Sequence, residues 1–445
     1  MFRLDDETFE ESKEILKDLI RIDTTNPPGN EVEAANYLNG ILAKDGFATQ
    51  ILEPATGRAN LITRLTGDGS QKPLLLNCHL DVVGADPKAW THPPFGGVEA
   101  DGYIWGRGAI DMKGFATMAL TVFRLLKRNE VPLKRDIIFA AVADEEEACE
   151  FGSEYLVNNH PELVNAEYVL NEVGGFNANV QGMRLCLIQV AERGIVRVRI
   201  RVRGEPGHSA LPCPDSALVV ASELIQKLSR SRLPHHLSDS ARNFMLALAA
   251  RARNPVEKLV LKGLTKPKLG QFLLHNLVPV GQSRTTMQAN LSNTVNPTIV
   301  RAGSKVNVVP EEVVIDVDGR VSPGSNQEEL LREIRDLIGE EHEMELLHEE
   351  PAAEFPTDTY VYREIVKVMN EHDPESEVVP YQIYGSTDSR NYAKLGAICY
   401  GFYPVQMPDD VEFSKLFHGI DERIPVEGFR FGIQALYDLV TRVAT

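Results

Sequence analysis

Several short apolar runs in this chain stop abruptly at acidic or imidazole side chains, and that arrangement limits the folds open to it. The runs are LLLNC (74–78), IIFAAVA (137–143) and EYVLN (167–171), with one further apolar run, NLITRL (60–65), ahead of them. Helical periodicity lies between them at about 113–128 and 152–159, and before them at 9–20 and 31–45. Strands alternating with helices predict an α/β sheet of mixed, mainly parallel order. Ligand sites in such sheets collect beyond the carboxyl ends of the strands. The polar residues that end these runs stand at those positions.

The pattern changes near residue 190. GIVRVRIRVRG (194–204) alternates strictly, as a half-exposed strand does. A helix at 214–230, VVIDVDGRV (313–321), a helix at 326–338 and EMELLHE (343–349) follow, with room for a further strand around 284–309. These predict a small α+β unit with an antiparallel sheet, carrying a helical insertion at 232–290. The helix/strand alternation resumes near 356, so the small domain interrupts the large one. The expected divisions are 1–189, 190–352 and 353–445.

A chain of 445 residues, 43% hydrophobic, is too long for one average domain. Its net charge of −18 argues against a nucleic-acid or anionic-membrane partner, since either needs a basic face. The acidic, amphipathic start lacks the basic and apolar regions of a signal peptide. No apolar run reaches the ~18 residues of a membrane span. Five scattered cysteines without CxxC spacing read as reduced thiols, and the expected compartment is the cytoplasm.

Five sites carry chemistry. His79 and Asp81 lie two apart at the end of a strand, where the Asp carboxylate can accept from one ring nitrogen while the other binds metal. Asp111 sits among glycines in GRGAIDMKG (106–114), and close backbone approach suits a carboxylate bridging two metals. In ADEEE (143–147), Glu145 and Glu146 point different ways, so one could bind metal while the other works on water. Glu172 follows another strand, and His418 lies in FHGIDERIP (417–425). Two imidazoles with three carboxylates and no thiolate suit zinc or cobalt in a hydrolytic site.

The order HLD, GRGxxDMKG, DEE, NE, GHS, TDSR, HGxDE, running from TTNPPGNE (24–31) to HGIDERIPVEGF (418–429), resembles metallopeptidase family 20. The resemblance implies a zinc-peptidase-like catalytic domain interrupted by a ferredoxin-like lid that is often a dimerisation surface. It implies two zinc ions per subunit on His79, Asp111 (bridging), Glu146, Glu172 and His418, with cobalt as a possible substitute. It also implies Glu145 as general base, Asp81 as the orienter of His79, and His208 as an oxyanion donor reaching a neighbouring active site. Arg320 and Arg390 are implied as partners of a substrate carboxylate, with Gly401 as a backbone contact. The implied substrate is a peptide or N-acyl amino acid, and the implied assembly a homodimer. The long 232–290 segment resembles the longer-lid branch that includes carboxypeptidase S and the N-fatty-acyl-amino-acid hydrolases. Ala148 departs from the usual Gly after DEE, and Gly319 from the usual aliphatic residue.

Rival readings lack their residues. A phosphoesterase wants a basic phosphate clamp, and only isolated arginines occur. A non-catalytic module on this fold would normally have lost a ligand or the base, and none is missing. There is no GxSxG, and Cys78 lies mid-strand rather than where a nucleophile stands.

Overall fold

Every residue of the strands Leu74–His79, Ile137–Val142 and Tyr168–Asn171 is buried. A strand covered on both faces needs no polar alternation, so these segments read as unbroken apolar runs. They pair in parallel, with Leu76 beside Phe139 on one side and Leu170 on the other. Ile398–Gly401 extends the parallel block next to Tyr168–Asn171. Outward from this block the pairing turns antiparallel, through Thr49–Ala55 and Arg58–Leu65 at one end and Met183–Glu192 at the other. The sheet is thus mixed, parallel at its centre.

The computed structural model describes residues 1–445 except 181, 253, 280, 409, 410 and 412–414. The chain divides into two units: Met1–Val190 with Phe355–Tyr381 and Thr387–Thr445, and Ala191–Glu354 with Gln382–Ser386. In the first, the helix Lys113–Arg128 is buried from Lys113 to Leu126 and packs on Asp6–Arg21, Val426–Ala444 and the strand Leu74–His79. A small three-stranded ribbon joins Val98–Ala100, Tyr103–Trp105 and Arg423–Pro425. It ties the segment after His418 to the loop before Asp111, residues more than 300 apart in sequence.

In the second unit, Gly194–Arg203, Thr294–Ala302, Glu312–Val321 and Glu343–Glu350 form an antiparallel sheet with Glu312–Val321 and Gly194–Arg203 at its centre. Helices Ala217–Ser229 and Gln327–Ile338 contribute to the core on one face, giving a ferredoxin-like βαββαβ order. The strict alternation of 194–204 has the expected outcome: Val196, Val198, Ile200 and Val202 are fully buried in that core. Arg197, Arg199 and Arg201 point the other way and pair across the sheet with Asp318, Asp316 and Glu312. The 232–290 insertion is helical, as expected, in Asp239–Arg251, Pro255–Leu264, Pro267–Asn276 and Gln282–Leu291.

Candidate metal centre

Three parallel strands deliver three of the site's segments. His79 is the last residue of its strand and pairs in register with Val142, so Asp144, Glu145 and Glu146 emerge beside it. Glu172 follows Asn171, the last residue of the next strand. Asp111 comes from the glycine-rich loop ahead of Lys113–Arg128, and His418 from the segment ahead of Arg423–Pro425. Asp144, Val173 and His418 all hold φ between 54° and 68°, in the left-handed region that side chains avoid. Such strain gathers at functional sites, and here it falls beside or on three of the polar groups.

Asp111 occupies the middle. One carboxylate oxygen lies 3.0 Å from His79 Nε2, and the other 3.3 Å from His418 Nε2. His79 Nε2 is also 3.7 Å from Glu172 Oε2, and His418 Nε2 is 2.9 Å from Glu146 Oε2. Donor atoms of His79, Glu145 and Glu172 lie within 4.8 Å of one another, as do those of His79, Asp111 and Glu146.

A second set of residues holds the first. His79 Nδ1 is 3.0 Å from the backbone oxygen of Asp81 and 3.5 Å from its carboxylate. The Asp81 carboxylate, fully buried, accepts from the backbone N–H groups of Glu145 and Glu146 at 3.1 Å each and from Asn26 Nδ2 at 2.9 Å. Asp81 therefore fixes the DEE turn as well as the histidine. Asn26 also donates to Asp144, which accepts from Arg58, itself bound twice by buried Glu31. Glu422 accepts from the backbone N–H groups of Ile110 and Asp111 at 2.7 and 2.9 Å and from Arg107 at 2.6 Å. Asp388 accepts from Asn77 and from Ser153. Sequence reading assigned no role to Asn26, Asp388 or Glu422. Each lies in a segment that carried the resemblance, but nothing in composition separates a buried hydrogen-bonding carboxylate from a solvated one.

The electrostatics favour cations. Burial, with Glu172 and Glu146 nearby, pushes the Glu145 carboxyl well above its ordinary range. Burial and the Asp111 charge push Glu146 up to about 7, and burial pushes Glu172 up to about 8 despite His79. His418 is drawn up to about 10 by its bonds to Asp111 and Glu146. Crowded carboxylates keep their charge only beside positive partners. One buried oxygen, Glu146 Oε1, finds no hydrogen-bond partner among the described residues. Imidazole and carboxylate donors, with an orphan oxygen among them, fit hard or borderline divalent metals.

The remaining candidates fall in two places. Gly401 ends its strand, and a side chain there would meet the Glu172 carbonyl at 2.2 Å, so glycine permits Glu172 its position. Arg390, partly buried, places Nη2 3.4 Å from Cys149 Sγ. His208 and Arg320 belong to the second unit. His208 is exposed, on a two-residue strand paired with Val308–Val309, and Arg320 is bonded to Asp318 at 2.8 Å.

The chain belongs to peptidase family M20/M25/M40, whose model matches residues 75–442. The N-fatty-acyl-amino acid synthase/hydrolase PM20D1 of Bos taurus is 25% identical over 96% of this chain and 87% of its own. The probable carboxypeptidase S-like 2 of Dictyostelium discoideum is 27% identical over 84% of this chain and 72% of its own. Among solved structures, the M20 family metallo-carboxypeptidase Sso-CP2 from Sulfolobus solfataricus shares the fold, with a TM-score of 0.68, 18% identity, and coverage of 98% of this chain and 99% of that one. No helix of the described residues is long and apolar enough to cross a membrane.

Proposed function

We propose that this chain is a two-zinc amidohydrolase that cleaves a peptide or N-acyl-amino-acid bond next to a free carboxylate. The observation that carries the reading is the division of Asp111, one oxygen towards His79 and the other towards His418. His79 and Glu172 would hold one ion, Glu146 and His418 the other, with Asp111 shared. Zinc, replaceable by cobalt, would polarise the amide carbonyl and acidify water.

Glu145, not needed as a ligand in this assignment, takes the proton of the attacking water as its oxygen adds to the amide carbon. Asp81 holds Glu145 in place through its backbone N–H. The same carboxyl then gives the proton to the departing amine as the C–N bond breaks, so atoms and protons balance. His208 donates to the oxyanion; loss of such a donor typically costs about 10²–10³ in rate. Arg390 and Arg320 are the cations proposed for the substrate carboxylate, because guanidinium binds carboxylate in a bidentate fork. Gly401 is proposed as a backbone contact.

The peptide, N-acyl and carboxypeptidase chemistry named for the relatives supports this substrate class. The free cysteines, four of them buried, agree with a reducing, cytoplasmic setting. A homodimer with His208 supplied by the second copy is part of the proposal. Mixing Glu145→Gln with His208→Ala chains under subunit exchange should restore activity if His208 acts in trans, and none if it acts within its own chain. The substrate reading is tested with N-acetyl, N-succinyl, long-acyl and dipeptide substrates, each as acid and as C-terminal amide, with zinc or cobalt. At least one acid should be hydrolysed about tenfold or more faster than its amide, the loss expected for a charge-assisted hydrogen bond. Equal rates would remove the carboxylate requirement, and no hydrolysis of any would remove the substrate class.

A further inference from the structure

The helical insertion leaves large apolar side chains in water. Leu259 is 72% exposed, Val256 67% and Phe272 59%, with Leu269 and Leu277 also half exposed or more. Val256, Leu259 and Gly263 are spaced i, i+3, i+7 on the helix Pro255–Leu264, so they share one face. Leu269 and Phe272 are spaced i, i+3 on the next helix, Pro267–Asn276. The two stripes meet. A Cβ on Gly263 would lie 3.7 Å from Leu269 Cδ2 and closer still to Leu273 Cδ1. One apolar surface therefore continues from the first helix onto the second.

The charge around it is opposite to that of the chain. Between residues 251 and 284 there are seven lysines and arginines and one glutamate, in a protein of net charge −18. Lys262, Lys266 and Lys268 are exposed and Lys258 is partly so, and none of the four forms an ion pair among the described residues. A recess of about 310 Å³ is lined by Arg232, Lys268, Gln271, Phe272, His275 and Asn276. The local field there is positive: partial burial, then Arg232 and Arg284, hold His275 below its ordinary range. Chain-wide acidity argues against an anionic surface as partner, but the insertion supplies the basic face that such a partner requires.

We propose that this helix pair docks the protein on an anionic lipid surface, with Val256, Leu259, Leu269 and Phe272 entering the interface and the surrounding lysines meeting phosphate headgroups. Apolar side chains flanked by lysine are how interfacial helices divide the work: burial supplies depth, and charge supplies selection for anionic lipid. The proposal is independent of the hydrolase reading.

The test is co-flotation of the full-length protein with vesicles of phosphatidylcholine alone or with about 30 mol% phosphatidylserine. Binding should be at least about tenfold tighter on the anionic vesicles and should weaken as salt is raised. The pair Lys262→Glu and Lys268→Glu should lower it about tenfold or more, since each lysine near the surface contributes roughly a fivefold factor. Leu259→Glu with Phe272→Glu should lower it at least as far. Unchanged circular-dichroism melting shows that these exposed variants remain folded. Absence of vesicle binding, equal binding to both vesicles, or binding unaffected by either pair would overturn the proposal. So would a solution mass that halves in Leu259→Glu with Phe272→Glu without any vesicle binding, which would make the patch a contact between copies of this chain.

Discussion

The Glu422 carboxylate accepts a 2.9 Å hydrogen bond from the backbone N–H of Asp111, so a residue four positions after His418 sets the loop that carries the central carboxylate. The same group neutralises Arg107 and is fully buried. Glu422→Ala should destabilise by about 3–5 kcal/mol, the usual cost of stranding one partner of a buried pair. It should also lower metal content. Glu422→Gln keeps an acceptor for the Ile110 and Asp111 N–H groups, so it should recover much of the metal content and less of the stability. Thermal melts with elemental analysis check both, and normal metal in Glu422→Ala would deny that this bond positions Asp111.

Glu145→Gln should keep its metal while the rate falls about 10²–10⁴-fold, the range of a general base. The variant preserves shape and removes the proton carrier. Glu145 also lies within ligand distance of His79 and Glu172, so loss of metal in this variant would make it a ligand instead.

Gly401→Ala should damage the site without touching a charged group. Its Cβ would meet the Glu172 carbonyl at 2.2 Å and Gln189 at 2.6 Å, distances that force the backbone apart. The expected outcome is destabilisation of about 1–3 kcal/mol, as for overpacking elsewhere, with weaker metal binding. Unchanged melting and metal content would show that Glu172 can shift freely.

Much of this was legible in the sequence, for a specific reason. Strands buried on both faces are apolar runs, so a carboxylate or imidazole at the end of one stands out, as His79, Glu146 and Glu172 do. The ribbon at Val98–Ala100, Tyr103–Trp105 and Arg423–Pro425 was not legible. Its strands are three residues each, and Arg423–Pro425 pairs with Tyr103–Trp105 across more than 300 positions. Without that ribbon the sequence gives no account of how Glu422 and His418 reach Asp111. The pairing of Asp81 with the N–H groups of Glu145 and Glu146 was equally hidden, because i, i+2 spacing points to His79 alone.

The second unit should carry its own pH dependence. Partial burial, with His275 and His236 nearby, depresses His235 from 6.5 to about 4. Neither ring nitrogen has a partner among the described residues. The folded state therefore binds this proton less readily than the unfolded one, and stability is complete above pH 6.5 and declines as pH falls towards about 4. His235→Leu should flatten that part of the urea-melt profile. A wild-type profile with no slope between those values would contradict the assignment.

The two-metal centre itself is tested most directly by counting metal. The protein is stripped with chelator, reloaded with zinc, freed of excess and analysed for zinc per chain, alongside Asp111→Ala and an assay of amide hydrolysis. The account predicts two zinc ions per chain in the wild type, with activity returning as they bind. It predicts one ion or none, and no activity, in Asp111→Ala, since both imidazole–carboxylate pairs meet at that side chain. A wild-type chain that takes up no zinc, or an Asp111→Ala chain that holds two ions and remains active, would contradict it.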